Sequence, residues 1–191
     1  MRYDIVTIGS SWGGLAAVKT VLGGLPGDFR PTVVIAQHRS ADSRDKGLAA
    51  YYDARCELPV CTVDDKQPIE PGRVYFAPPD YHLLVDRGFF ELSVDMPVQF
   101  SRPSIDVLFE SAADAYGDRV IGVVLTGANA DGAEGLSSIH KAGGFTIVQN
   151  PATAERPDMP SAALDAVRRP GAVLDLEDVP TYLTKLAGEP R

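Results

Sequence analysis

No stretch of this sequence is apolar for the ~20 consecutive residues that a membrane-spanning helix needs, so membrane insertion is not expected. Runs of lysine or arginine are also missing, and the formal net charge is −8. Nucleic-acid binding rests on clustered positive charge, so nucleic acid is not an expected partner. Cysteine is scarce: Cys56 and Cys61 are the two. Their spacing fits neither a zinc site nor a C-x-x-C redox pair, and reduced thiols in a cytosolic protein are the expected state. The three histidines, His38, His82 and His140, lie in separate segments. No metal centre and no cofactor is therefore expected. No basic and apolar leader precedes the first strand signal at Tyr3, and a cytoplasmic location is the expectation. No repeat or long linker divides the chain, so residues 1–191 are read as a single domain large enough to bury a core.

What is present alternates between two periodicities. Ile5–Ile8, Thr32–Ala36, Pro59–Val63, Val120–Thr126, Phe145–Gln149 and Ala172–Leu174 read as apolar, largely β-branched strands. Between and after them, Leu15–Leu25, Asp42–Ala54, Ser104–Tyr116, Gly132–Ala142, Ser161–Val167 and Val179–Leu186 carry helical signals. Ser40 and Asp42 read as a cap region for the second helix. The pattern predicts an α/β fold: a doubly wound, mainly parallel sheet with helices on both faces. From Gln67 to Phe100 the rhythm breaks. Arg73–Ala77, His82–Val85 and Phe89–Val94 read as short strands between Pro/Gly turns, a short antiparallel excursion.

In an open parallel sheet, ligands bind beyond the carboxyl ends of the strands. Three expected strands deliver chemistry there. The first runs into Gly9-Ser10-Ser11-Trp12-Gly13, a G-x-S-x-G pattern that puts Ser11 on a sharp strand-to-helix turn. Gly9-x-Ser11-x-x-Gly14 also approaches a dinucleotide-binding G-x-G-x-x-G loop. The second strand ends in Gln37-His38, where a dinucleotide fold wants Asp or Glu for the ribose, which counts against that reading. The strong strand Val120–Thr126 leads into Thr126-Gly127-Ala128-Asn129-Ala130-Asp131. Serine, histidine and aspartate on one edge supply a nucleophile, a base near neutral pKa and a carboxylate to orient the base. Each has a plainer reading: Ser11 and Asp131 as helix caps, His38 as a loop histidine. The order Ser, His, Asp and an elbow after the first strand differ from the α/β-hydrolase arrangement.

These segments, together with Ser101-Arg102-Pro103-Ser104-Ile105-Asp106-Val107-Leu108-Phe109, Val74–His82, Gly127–Leu136 and Gln149–Ala154, resemble the catalytic domain of the chemotaxis receptor methylesterase family, CheB. The resemblance covers about residues 3–180. It implies a doubly wound sheet and a serine esterase that hydrolyses glutamate γ-methyl esters on cytoplasmic chemoreceptor helices, releasing methanol. It also implies glutamine deamidation by some members. By resemblance Ser11 is the nucleophile, His38 the base and Asp131 the orienting acid. Trp12, Gly13, Arg102, Ala128 and Asn129 fall at the oxyanion site and substrate groove. The methylated chemoreceptor helices are the expected partners. The phosphoacceptor receiver domain usual in the family has no counterpart in these 191 residues. Trp12, Arg39 and Ala128 depart from the family pattern. A helix-binding module without turnover is therefore the alternative. Arg102 has its own alternative, a surface salt bridge.

Overall fold

Strand β1, Ile5–Ser10, leaves nothing for solvent: all six of its residues are buried. The same holds for β2, Thr32–Gln37, and β7, Val120–Val124. Strands buried on both faces belong in the middle of a parallel sheet, and there they lie. With β3 (Val60–Thr62), β4 (Val74–Phe76), β8 (Phe145–Gln149) and β9 (Ala172–Leu174), the sheet order is β3-β4-β2-β1-β7-β8-β9. Every pairing in it is parallel. A separate antiparallel pair joins β5 (His82–Asp86) to β6 (Phe89–Ser93). The computed structural model describes residues 2–38 and 47–188.

Alternate side chains feed two cores, as the period of two in a strand requires. Val6, Ile8, Val33 and Ile35 face α1 (Gly14–Gly23), α2 (Leu48–Asp53) and α6 (Val179–Ala187). Ile5, Val34, Ala36 and Val124 face α3 (Ile105–Tyr116), α4 (Ala133–Lys141), α5 (Asp158–Val167) and the β5–β6 hairpin. Helices on both faces make this the doubly wound α/β architecture that the sequence predicts.

Three expectations change. Val74–Phe76 belongs to the parallel sheet, between β2 and β3, and among the described residues the strands of the antiparallel excursion are β5 and β6. The chain from Val63 to Arg73 crosses between parallel neighbours without a helix, and a helix is the usual mark of such a crossover. Helix α5 begins at Asp158, before the expected Ser161. Pro160 sits in its first turn, where proline costs no hydrogen bond. Of the helix expected over Asp42–Ala54, Leu48–Asp53 is observed, and the Ser40/Asp42 cap region lies outside the described residues.

Candidate active site

The site forms because three adjacent strands end together. β1 pairs with β2 in a register that sets Ser10 beside Gln37, and the His38 N–H donates to the Ser10 carbonyl at 2.9 Å. On the other side, the Ser11 N–H donates to the Thr126 carbonyl at 3.0 Å. Thr126 is itself pinned by Gln149, whose Oε1 accepts its N–H at 2.8 Å. Ser11 thus sits between the end of β2 and the loop after β7. A Cβ built on Gly127 would lie 3.0 Å from the Ser11 Cβ, so the serine side chain rests against that loop.

The elbow turns at Gly13, whose φ of +77° is a left-handed value that favours glycine. A side chain there would also meet the Glu155 Cβ at 2.8 Å. Gly13 is the N-cap of α1, with no side-chain cap, so Ser11 is not a capping residue. Among the described residues, the N–H groups of Trp12, Gly13, Ala128 and Asn129 have no hydrogen-bond partner. Two short backbone segments beside Ser11 therefore carry free donors of the kind that stabilise an oxyanion.

Asp131 is fully buried and saturated. Its Oδ2 accepts from His38 Nε2 at 2.7 Å and from the Ile105 N–H at 2.8 Å. Its Oδ1 accepts from the Ser104 hydroxyl at 2.9 Å and the Asp106 N–H at 3.0 Å. The N-cap of its own helix α4 is Gly132, without a side-chain cap. Asp131 instead closes the N-terminus of α3, where two N–H groups and the helix dipole favour a negative charge. Burial acts to raise its pKa. The bonds from His38 and the α3 amides outweigh it and hold the carboxyl below its usual value. An ionised Asp131 only accepts, so His38 Nε2 donates to it, and in the neutral imidazole this leaves the lone pair at Nδ1. That nitrogen lies 3.4 Å from Ser101 Oγ and 3.5 Å from Asn129 Nδ2. Among the described residues the Ser11 hydroxyl makes no hydrogen bond to His38. Catalytic hydrogen bonds are often long in unliganded sites and tighten with substrate.

The sequence reading leaves several neighbours unnoticed. Ser104 is the N-cap of α3. Buried His82 accepts the Ser104 N–H on Nδ1 at 3.2 Å, and its Nε2 lies 3.1 Å from the Met96 carbonyl, so both ring nitrogens are engaged. Asp106 accepts the Gly132 and Gly135 N–H groups on Oδ1 at 2.9 and 2.8 Å and Gln99 Nε2 on Oδ2 at 2.8 Å. Burial first, and then the neighbouring Asp131 charge, push the Asp106 carboxyl up to about 6. No periodicity or spacing marks the bonds of His82 to Ser104 and of Asp106 to Gly132 and Gly135, because they join segments far apart in the chain.

The Asp106 shift makes a stability expectation. Its folded pKa is raised, so ionising it costs stability as pH rises from the unfolded value of 3.8 through about 6. Asp106→Asn has no such titration. Its unfolding free energy relative to wild type should therefore improve between pH 4 and pH 8, on the order of 2 kcal/mol. Urea melts across that range measure it, and a constant difference would contradict the assignment.

The expected groove residues separate. Trp12 is 64% exposed, with its indole N–H on Glu155 Oε1 at 2.9 Å, so it is not packed beneath α1. Ala128 is exposed and Asn129 half-buried, both on the loop beside Ser11. The Arg102 guanidinium is tied to Asp80 Oδ1 at 2.5 and 3.0 Å and to the Val94 and Asp95 carbonyls, the salt bridge held open above. Arg102 still lines an open pocket with His38, Asp80 and Phe100. Arg39 lies outside the described residues. Phe100, unforeseen, is fully exposed at the tip of a tight turn in which Val98 and Ser101 exchange both backbone hydrogen bonds. Cys56 and Cys61 are free. Among the described residues no group of three or more His, Cys, Asp or Glu could hold a metal, and no helix is long and apolar enough to cross a membrane.

Comparison with known proteins gives one family. The family model for the CheB methylesterase matches residues 6–183. A Leptospira interrogans protein, provisionally named a protein-glutamate methylesterase/protein-glutamine glutaminase, is 44% identical over 187 residues. The match spans 97% of this chain and 96% of that protein. A protein-glutamate methylesterase/protein-glutamine glutaminase of Anaeromyxobacter dehalogenans is 42% identical over 97% of this chain, which spans 54% of it. The chain thus spans nearly all of one relative and about half of others. The crystal structure of the Thermotoga maritima CheB methylesterase catalytic domain superposes with a TM-score of 0.91 at 31% identity, over 97% of this chain and 100% of that one. With a match across nearly its whole length, this chain belongs to the CheB methylesterase family.

Proposed function

We propose that the chain is a protein-glutamate methylesterase acting through Ser11, His38 and Asp131. The observation that carries the reading is the 2.7 Å bond between His38 Nε2 and buried Asp131, on a strand end adjacent to Ser11. Asp131 holds the imidazole with Nδ1 free to take a proton. Ser11 Oγ attacks the γ-carbonyl of a glutamate methyl ester and passes its proton to His38 Nδ1. The oxyanion is met by the free N–H groups of Trp12 and of the Ala128–Asn129 segment. His38 then returns the proton to the departing methoxy group, and methanol leaves an acyl-Ser11. Water deprotonated by His38 hydrolyses the acyl-enzyme, giving glutamate and regenerating Ser11. A glutamine γ-amide enters the same acyl-enzyme with ammonia as leaving group, which agrees with the double name of the relatives.

The substrate is read as a methylated receptor helix lying across the strand ends in the cytoplasm. Trp12 leans towards Glu155 beyond β8, while Phe100 stands over the His38 side. Two exposed aromatic rings flanking the reacting groups suit a broad helical substrate, since aromatic side chains carry large contact area. Trp12→Thr and Phe100→Ala should each raise KM for a methylated receptor fragment about 5- to 30-fold, more than for a small methyl ester. Equal changes on both substrates would remove the rings from helix recognition.

Methanol release from methylated receptor cytoplasmic fragments tests the reading as a whole. Turnover abolished by Ser11→Ala supports it. Tight binding of the fragment by the folded wild type, with no methanol formed, would replace it with the binding-module alternative.

A further inference from the structure

We propose that Asp106 is a positioning residue for the catalytic acid: it holds the loop that carries Asp131 and ties that loop to the substrate-facing turn at Gln99. The inference rests on the reading of Ser11, His38 and Asp131 as the catalytic groups.

The geometry is reciprocal. Asp131, one residue before the N-cap of α4, accepts N–H groups from the first turn of α3. Asp106, in the first turn of α3, accepts the N–H groups of Gly132 and Gly135 at the start of α4. Each carboxylate therefore closes the other's helix. Neither helix can slide or rotate without breaking bonds to both. The crossing is tight enough for this because Gly135 has no side chain. A Cβ there would lie 2.6 Å from the Phe109 Cβ and 2.9 Å from the Asp106 Cα.

Two buried carboxyls side by side are an expensive way to fix a loop. Asp106 is only 5% exposed and Asp131 is fully buried. An uncharged amide could accept the same two N–H groups. A charged group at this point does two things. It raises the negative potential around His38, which favours the imidazolium formed during proton transfer. It also accepts Gln99 Nε2, on the turn whose next residues are the exposed Phe100 and Ser101, the latter 3.4 Å from His38 Nδ1. Gln99 and Phe100 have φ of +47° and +64°, left-handed values that bulky residues adopt only when held. The Gln99–Asp106 bond is one such restraint. It joins the turn at the substrate surface to the loop that orients the base.

The titratable groups around the pair are His38 at the end of β2, His82 on β5, Glu110 on α3 and Glu134 in the first turn of α4. Glu110 is held above its usual value by burial and by Asp114, Glu134 and Asp131. Among the described residues none of these four side chains is hydrogen-bonded to the chain just beyond Asp131, whereas Asp106 holds Gly132 and Gly135 there.

The test uses Asp106→Ala, Asp106→Asn and Gln99→Ala in the whole chain, read by small-ester kinetics against pH and by NMR of the His38 imidazole. Wild type should show a low-field Nε2–H resonance from the bond to Asp131. In Asp106→Ala that resonance should broaden or vanish. The kcat should fall at least tenfold with KM within about twofold, and the acid limb of kcat/KM should move to lower pH. Asp106→Asn should recover much of the kcat, because its carbonyl still accepts the N–H groups. Its acid limb should stay displaced, because the charge is gone. Gln99→Ala should raise KM for a receptor fragment more than it lowers kcat. A merely structural Asp106 would lower melting temperature and leave the kinetics of the folded protein and the His38 resonance as in wild type, which overturns the proposal. If Asp106→Ala does not fold, Asp106→Asn decides: an unmoved acid limb and an unmoved resonance overturn it. Wild type inert on every ester, with a resonance that still depends on Asp106, would uphold the positioning role and reject the esterase reading.

Discussion

Ser11→Ala should abolish methanol release by at least ~10³-fold while leaving the melting temperature nearly unchanged. The two halves of that expectation have separate causes. The Ser11 hydroxyl is the attacking atom in the proposed mechanism, so no residual acyl-enzyme forms without it. It makes no hydrogen bond among the described residues and is only half-buried, so its loss strands no partner and opens no sealed cavity. The adjacent Ser10 is the internal control. Its hydroxyl is fully buried and unpartnered beneath α1. Ser10→Ala removes a buried unsatisfied oxygen and should keep activity with equal or slightly greater stability. A serine-directed covalent inhibitor should label Ser11 and spare Ser10. Near-wild-type turnover in Ser11→Ala, or labelling of Ser10, would move the nucleophile and dissolve the proposed triad.

How far the sequence carried the fold is visible strand by strand. Ile5–Ser10 and Val120–Val124 are legible because continuous β-branched runs have few other homes. Val74–Phe76 reads as part of the antiparallel excursion and lies in the parallel sheet, since three residues do not reveal their partners. The connection from its partner β3 lacks the crossover helix. The candidate site divides in the same way. Ser11, His38 and Asp131 follow strand signals, and sheet topology brings strand ends together, so residue type and position sufficed to single them out. The supporting residues do not follow from local pattern. Nothing in the sequence singles out Asp106 within its helix, or Phe100 at the end of the Pro/Gly-rich segment. Only the α3–α4 crossing shows that the first spans two helices, and only the Val98–Ser101 turn shows that the second points to solvent. Trp12, which departs from the family pattern, proves to be exposed beside the serine, where a change of side chain bears on substrate more than on the core.

Asp131→Asn should cost both activity and stability, which sets it apart from Ser11→Ala. The carboxylate accepts four hydrogen bonds and has no donor to make. An amide nitrogen in place of Oδ2 would face the Ile105 N–H, donor against donor. It would also offer His38 a donor and so favour the tautomer with its proton on Nδ1, the nitrogen that accepts the Ser11 proton in the proposed mechanism. In place of Oδ1, the same nitrogen would face the Asp106 N–H, while the Ser104 hydroxyl could rotate to accept. The second orientation keeps the His38 bond but loses the charge that stabilises the imidazolium. It also leaves Asp106 ionised beside an uncharged neighbour. Either way one N–H at the start of α3 is buried without a partner, a loss of about 1–3 kcal/mol. Activity should drop ~10³- to 10⁴-fold, the scale set by an acid-to-amide change in a serine triad. Thermal melts and methanol release on one preparation read both quantities. A variant that loses stability alone and turns over like wild type would show that Asp131 is a helix cap and that His38 needs no acid.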